Sequence, residues 1–156
     1  MVAMLETGGR MTIAQTAVAK VGDNLVAYIK SQRGRRFELG EHDCFTFTNG
    51  AWAAMHGAGY ADHFIGKYAD LGPKAFARLM KDSFGYVGLI DALDNGLSRV
   101  EGFPPKGALV ISSSCRPYFT RYALGIAVGS AAVFLGDDDV EYRSISEING
   151  AWQCRR

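Results

Sequence analysis

Apolar positions along the chain change their spacing once, near residue 101, and the change predicts two kinds of structure. Before it, apolar residues recur every three or four positions, which is typical of one face of an α-helix. After it, short apolar runs alternate with turns rich in Gly, Ser and Asp, which is typical of antiparallel strands. This order predicts an α+β fold, with N-terminal helices packed on an antiparallel sheet of four to six strands.

The first half of the chain predicts a loose tail followed by helices. The tail covers residues 1–10, and helical spacing covers residues 11–29, 44–56, 73–80 and 84–96. Gly22, followed by Asp23 and Asn24, is a candidate break within the first helix. A basic stretch, residues 30–36, is predicted to be a solvated hinge. It separates an N-terminal tail and helical segment, residues 1–36, from a main domain, residues 37–156.

The second half of the chain predicts a meander of short strands. Apolar runs place four strands at residues 108–112, 122–128, 131–135 and 140–145, with a short fifth at residues 151–154. Gly129-Ser130 is a two-residue hairpin signal, and residues 136–139 form the next turn.

The clearest local signal lies at residues 43–57. Asp43 suits the N-cap of a helix, Cys44 then takes the first helical position, and Gly57 suits its end. The apolar stripe of this helix consists of Cys44, Phe45, Thr48, Ala51, Trp52 and Met55. Because the backbone partial positive charge at a helix N-terminus favours thiolate, Cys44 is a candidate nucleophile. A small buried apolar residue is the alternative interpretation of the same cysteine.

Composition and charge narrow the possible functions. The formal net charge is +1, so no basic field indicates nucleic acid or anionic lipid as a partner. The three cysteines are widely spaced and form no CxxC pair, so no zinc site, disulfide framework or other cofactor is predicted. The longest apolar run, residues 122–135, is interrupted by two glycines and is too short to span a membrane as a helix. No signal peptide is expected at the N-terminus.

The motifs at the helix start and along the strands together resemble the NlpC/P60 class of papain-like cysteine peptidases. More closely, the chain resembles a family of small phage and prophage tail proteins built on that fold. Those proteins carry an aromatic-x-x-Gly-x-x-Asp-Cys segment, a Gly-x-Tyr segment, a Gly-Ile-x-x-Gly strand and a closing Ala-Trp. The corresponding segments here are residues 37–44, 66–68, 125–129 and 151–152. The resemblance covers residues 37–152.

The resemblance implies that Cys44 keeps the nucleophile position while its catalytic partners are missing. Ala123 stands where the peptidases place the catalytic His, and residues 131–134 read Ala-Ala-Val-Phe where the orienting polar residue belongs. The Gly-Asp that opens the first strand of the family is Gly107-Ala108 here. Acyl transfer needs an acid that protonates the leaving amine as well as a thiolate. The resemblance therefore implies a pseudoenzyme.

The three histidines are the only candidates for a substitute base. His63 lies in a loop that can fold over the helix start, and its alternative is a surface or inter-strand His. His42 is a weaker candidate, and its alternative is a loop His that faces solvent. His56 follows Cys44 by twelve residues, about 18 Å along a helix, and is excluded.

Two other polar clusters predict neither a metal site nor a second nucleophile. The acidic run at residues 137–139 lacks the twelve-residue layout of a calcium-binding loop and is interpreted as a hairpin turn, so no metal site is predicted. Residues 112–115 lack the Gly-x-Ser-x-Gly elbow of a serine nucleophile and are interpreted as a loop.

The resemblance implies a structural or assembly component of a phage or prophage tail, at the tail tip. Such a protein is made in the cytoplasm of the bacterial host, resides in the virion tail and contacts other tail proteins. The expected interface anchors, for which core packing is the alternative, are the aromatics Tyr60, Phe64, Tyr118 and Tyr122.

Two further functions stay open on the sequence. One is an active cysteine hydrolase, a peptidase or amidase that cuts peptidoglycan as the phage enters the cell. It would use Cys44 as nucleophile and His63 or His42 as base. The other is a small-ligand or acyl carrier with a thioester at Cys44, which has no supporting feature besides the thiol.

Overall fold

Helices precede strands in the computed structural model of the chain, which describes residues 12–86, 88–115 and 120–155. The helices are α1 (Ile13–Gln32), α2 (Cys44–His56), α3 (Pro73–Phe84) and α4 (Leu89–Gly96). The strands are β1 (Ser98–Arg99), β2 (Leu109–Ser112), β3 (Ala123–Ala127), β4 (Ala131–Leu135), β5 (Val140–Ser144) and β6 (Gly150–Gln153), with a 3-10 turn (Ile145–Glu147) before the last. The predicted α+β class, with N-terminal helices and an antiparallel sheet, is confirmed.

The sheet has six strands in the order β1-β6-β2-β3-β4-β5, and every neighbouring pair is antiparallel. Strands β2 to β5 form the predicted meander. Strand β6 does not extend the meander at its far end but returns to the other side of β2, where Trp152 pairs with Leu109. Strand β1, which has no apolar run of its own, pairs with β6 at this edge.

Helix α1 continues through the candidate break at Gly22 without interruption. Thr12 and Gln15 form a capping box at its start. Leu25 and Ile29 are buried in the main core, and the Asn24 amide donates to the Ala54 carbonyl of α2 at 3.1 Å. These contacts outweigh the cost of about 1 kcal/mol that glycine imposes inside a helix.

The two faces of the sheet bury different kinds of side chain. Because side chains alternate along a strand, Leu109 and Ile111 of β2 face the helices while Val110 faces the opposite side. The helix-facing set continues with Leu124, Ile126, Val133 and Trp152. The buried residues of the opposite face are mostly small and comprise Ala108, Val110, Cys115, Ala123, Ala127, Ala132, Phe134 and Ala151.

Gly125 of β3 leaves room for the Phe134 ring on this small-residue face. A Cβ at position 125 would lie 2.7 Å from the ring and 2.6 Å from the carbonyl oxygen of Val133. The close approach of β3 and β4 therefore requires glycine at this position.

Helix α4 is fixed to the edge of the sheet through Asp94. Its carboxylate accepts from the indole Nε1 of Trp152 at 2.8 Å and forms two hydrogen bonds of 3.0 Å with the Arg99 guanidinium. Arg99 also lies over the Trp152 ring, 5.1 Å from the centroid.

No helix within the described ranges is both long and apolar enough to cross a membrane.

Candidate functional site around Cys44

The start of α2 is built as the sequence predicts. Asp43 is the N-cap, and its carboxylate accepts from the Thr46 N–H at 2.9 Å. The Thr46 hydroxyl accepts from the Asp43 N–H at 2.7 Å and completes a capping box. The helix ends at Gly57 in the left-handed conformation, with φ +88°. The predicted range of 44–56 is thus confirmed, and Cys44 occupies the first helical position.

The Asp43 carboxylate is buried, with 1% of the residue exposed, and is fully paired. The Tyr68 hydroxyl lies 2.7 and 2.6 Å from its two oxygens, and the Gly40 N–H donates to one of them at 2.7 Å. Burial, and then the negative charge of Asp43, raise the pKa of Tyr68, so this hydroxyl stays a donor. These contacts hold the preceding loop, the helix start and the Tyr68 segment together.

The Cys44 thiol is buried as well, with 6% of the residue exposed. Burial, and then the negative charge of the neighbouring Asp43 carboxylate, raise its pKa to about 12. Backbone hydrogen bonding, first from Leu124 of β3, opposes this shift without reversing it. The helix N-terminus alone would favour thiolate, but desolvation is the larger effect here, so Cys44 is a protonated thiol at neutral pH.

The strand segment beside the thiol carries no side chain able to act as a base. The backbone of Leu124 reaches Cys44, and the Leu124 side chain is buried in the helix-facing core. Ala123, the position where the resembling peptidases have His, belongs to the small-residue cluster on the opposite face of the sheet. In residues 131–134 of β4, only Val133 joins the helix-facing core.

His42 is buried, which makes the expectation of a solvent-facing loop His wrong. Only 3% of the residue is exposed, because a bridge between Glu38 and His42 folds the loop back before α2. Its buried Nε2 has no hydrogen-bond partner among the residues that the structure describes. Burial, and then the positive charge of Arg35, lower the pKa of His42, while Asp43 partly opposes them. The imidazole is therefore neutral at neutral pH and is not bonded through Nε2 to the thiol.

His63 lies on the surface at the end of α3. Its Nε2 is 2.9 Å from the Ser83 carbonyl oxygen, and its ring packs edge-on against Phe84 with the centroids 4.9 Å apart. Both partners belong to the last turn of α3, so the loop does not place this imidazole over the start of α2. His63 is therefore an exposed surface residue, as its alternative interpretation predicted.

The aromatic residues expected at an interface are mostly engaged within the fold. Phe64 is fully buried and stacks on Tyr68, so core packing describes it. Tyr60 is half-buried, and its hydroxyl is 2.8 Å from that of Thr48, which itself donates to the Cys44 carbonyl. Tyr122 is half-buried against the same core. Tyr118 lies outside the described residues.

Six large apolar residues in the described ranges are exposed, and none of them was predicted as an interface anchor. They are Ile13, Val18, Val26, Tyr86, Phe103 and Tyr142. Three of the six, Ile13, Val18 and Val26, lie on α1, whose buried residues are Leu25 and Ile29.

The acidic turn between β4 and β5 secures the end of α1. The Asp139 carboxylate accepts from the Gly34 and Val140 N–H groups at 2.8 Å, and these bonds lower its pKa. Arg36 pairs with Asp138 at 3.4 Å. No cluster of three His, Cys, Asp or Glu able to hold a metal occurs within the described ranges.

The fold and the buried thiol define a class: an α+β domain with a capped central helix whose first residue is an enclosed cysteine. The family model of DUF6950, a domain of unknown function, matches residues 16–154 of the chain. The chain belongs to this family, since the match runs from within α1 to just beyond β6. No curated protein matches the chain.

Proposed function

We propose that this protein is a structural or assembly component of a phage or prophage tail, built on a cysteine-peptidase-like scaffold that has lost its catalytic base. The observation that carries the non-enzymatic part is the state of Cys44, a buried thiol with a raised pKa beside an apolar strand segment. The assignment to a tail rests on the resemblance of residues 37–152 to small tail proteins of this kind.

The chemistry of peptide hydrolysis supports the non-enzymatic proposal. A thiolate must attack the carbonyl carbon, and an acid must then protonate the departing amine. Cys44 is protonated, and the neutral His42 has no bond through Nε2 to any described group. Loss of members of such a catalytic unit typically costs a factor of about 1000 or more in rate.

The first test is alkylation of the folded protein by iodoacetamide across pH, with each cysteine quantified by mass spectrometry. Exposed Cys154 serves as the internal control, because it shares the chain and the reagent. We expect Cys154 to react readily and Cys44 to react only after denaturant is added. A Cys44 midpoint well below ~8.5 would contradict the proposal, since it would show a stabilised thiolate.

The second test asks whether the protein belongs to a particle. We expect it in purified phage or prophage tails, and we expect Cys44→Ala to leave assembly and infectivity unchanged. Absence of the protein from tails would refute the tail assignment. Release of peptidoglycan fragments by the wild type, abolished in Cys44→Ala, would instead establish the hydrolase.

A further inference from the structure

Two cavities lie between α1 and the body of the domain and share Lys106 as a wall residue, and we call them together the α1 groove. One part is a cavity of about 430 Å³ whose walls include Val18, Trp52 and Lys106. The next part is a cavity of about 200 Å³ whose walls include Val26 and, again, Lys106. The α1 residues along the groove run from 17 to 33, a helical length of about 24 Å.

The wall that α1 contributes to the α1 groove includes exposed apolar side chains. Val18 is 73% and Val26 44% exposed, and with Ala14 and Gly22 they form a row at four-residue spacing. The neighbouring row on α1 ends in the buried Leu25 and Ile29. The exposed row therefore continues a core-forming face, and its four-residue ridge suits packing against another helix.

The smaller cavity of the α1 groove is cationic. Lys30, Arg33 and Lys106 line the smaller cavity, and none of the described residues that line it with them is a carboxylate. Within the described ranges, none of the three forms an ion pair within 4.0 Å. The charge of Arg33 acts on Asp139, but the Asp139 carboxylate is already bonded to the backbone of Gly34 and Val140.

We infer that the α1 groove binds an acidic amphipathic helix of a partner protein. Apolar side chains of that helix would cover Val18 and Val26, and its carboxylates would face Lys30, Arg33 and Lys106. The inference rests on the proposed function, because an assembly component must contact a neighbouring protein. The α1 groove is the surface that would make this contact. An apolar face fixes affinity, and opposite charges fix orientation and exclude wrong partners.

The test uses two synthetic 16-residue peptides as probes, with Leu at positions 1, 4, 5, 8, 11, 12 and 15. The remaining positions carry Glu and Ala in the first peptide, and Lys and Ala in the second. Each peptide carries fluorescein, and binding to the full chain is followed by anisotropy. We expect the acidic peptide to bind at least tenfold more tightly than the basic one, with the preference weakening as salt screens the charges.

Variants locate the binding on the α1 groove. Lys30→Glu with Lys106→Glu is expected to weaken binding of the acidic peptide at least tenfold, and Val18→Glu to weaken it similarly. The matched controls are Lys74→Glu, an exposed charge reversal on α3, and Ala27→Glu, at an exposed α1 position outside both cavities; both should leave binding unchanged. All variants are checked for an unchanged unfolding midpoint, so that loss of binding is not loss of the fold.

Three outcomes would overturn the inference. They are equal binding of the two peptides, unchanged binding by the groove variants, and dimerisation of the chain that Val18→Glu abolishes. The last would identify a second copy as the occupant. The peptide assay uses isolated protein, whereas the tail assignment is decided by particle composition, so failure of one is distinguishable from failure of the other.

Discussion

At the scale of the residue, Asp43 connects three segments of the candidate site. Its carboxylate accepts from Thr46 in the helix, Gly40 in the preceding loop and Tyr68 in a distant loop. A buried carboxylate is stable only when its oxygens are supplied with donors. Here the Thr46 N–H serves one oxygen, the Gly40 N–H serves the other, and the Tyr68 hydroxyl is shared between the two. Asp43 thus has a structural role that does not require chemistry at Cys44.

Removing this carboxylate should destabilise the whole chain. We expect Asp43→Ala to lower the free energy of unfolding by about 2–5 kcal/mol, because the helix loses its cap and the Tyr68 hydroxyl loses its acceptor. Tyr68→Phe, which keeps the cap, should cost about 1–3 kcal/mol. Urea unfolding followed by circular dichroism measures both values. Asp43→Asn is the matched control, since it keeps the shape and one acceptor oxygen, and an equal loss in Asn and Ala would contradict this account.

At the scale of the element, local chemistry predicts helix ends better than strand partners. The range of α2 follows from Asp43 and Gly57, and the start of α3 from Pro73, since caps and breakers act on adjacent residues. Strand β1 has no such local signal. Its two residues are strand only because Ser98 pairs with Gln153 and Arg99 with Trp152, more than fifty residues away.

Helix α1 provides a test of how far packing overrides propensity. Gly22 lies inside the helix, and a Cβ built there meets no atom within 4 Å. We therefore expect Gly22→Ala to raise the free energy of unfolding by about 0.5–1 kcal/mol, the difference in helix propensity between the two residues. Thermal unfolding followed by circular dichroism measures the change.

Gly125→Ala is the control for Gly22→Ala, because the same substitution should have the opposite effect there. The added Cβ would collide with Val133 and Phe134. We expect this variant to lower the free energy of unfolding by about 1–3 kcal/mol, the usual cost of inserting extra atoms into a packed core. Stabilisation at position 125, or destabilisation at position 22, would show that the packing described for α1 or β3 is incorrect.

At the scale of the whole molecule, the sequence could place the thiol but not its surroundings. Asp43 and Cys44 are neighbours in the chain, so their position at a helix start was predictable. The burial of Cys44 depends on β3, and the position of Leu124 beside it depends on the path of some eighty intervening residues. His42 forms a bridge to Glu38 across a turn that contains Gly40 at φ +86°. Gly40 is a turn signal in the sequence, but a turn signal does not show which side chain the turn buries.

The buried His42 should make the stability of the molecule depend on pH. Its pKa in the folded chain lies below the ordinary value near 6.5, so on acidification the unfolded chain binds the proton first. The contribution of His42 to the free energy of unfolding is therefore fully present above about pH 6.5. It is lost as the pH falls from there through the lower pKa of the folded chain. Urea unfolding between pH 4.5 and pH 7.5 measures the slope.

A variant pair identifies His42 as the source of this slope. His42→Asn should flatten the pH dependence, because no group at position 42 then gains a proton on unfolding. The exposed His56 gives the control His56→Asn, which should keep the wild-type slope. If both variants retain the slope, other groups are responsible for it.

The position of β6 also bears on how the chain acquires its structure during synthesis. Since β6 lies between β1 and β2, the sheet has a gap at this place until residues 150–153 have left the ribosome. The helices and the β2–β5 meander are made earlier and must wait with one edge of β2 unpaired, which is a template for pairing with other nascent chains. Pairing of β6 with β2 covers this edge, so its exposure during synthesis ends when the last strand of the sheet docks.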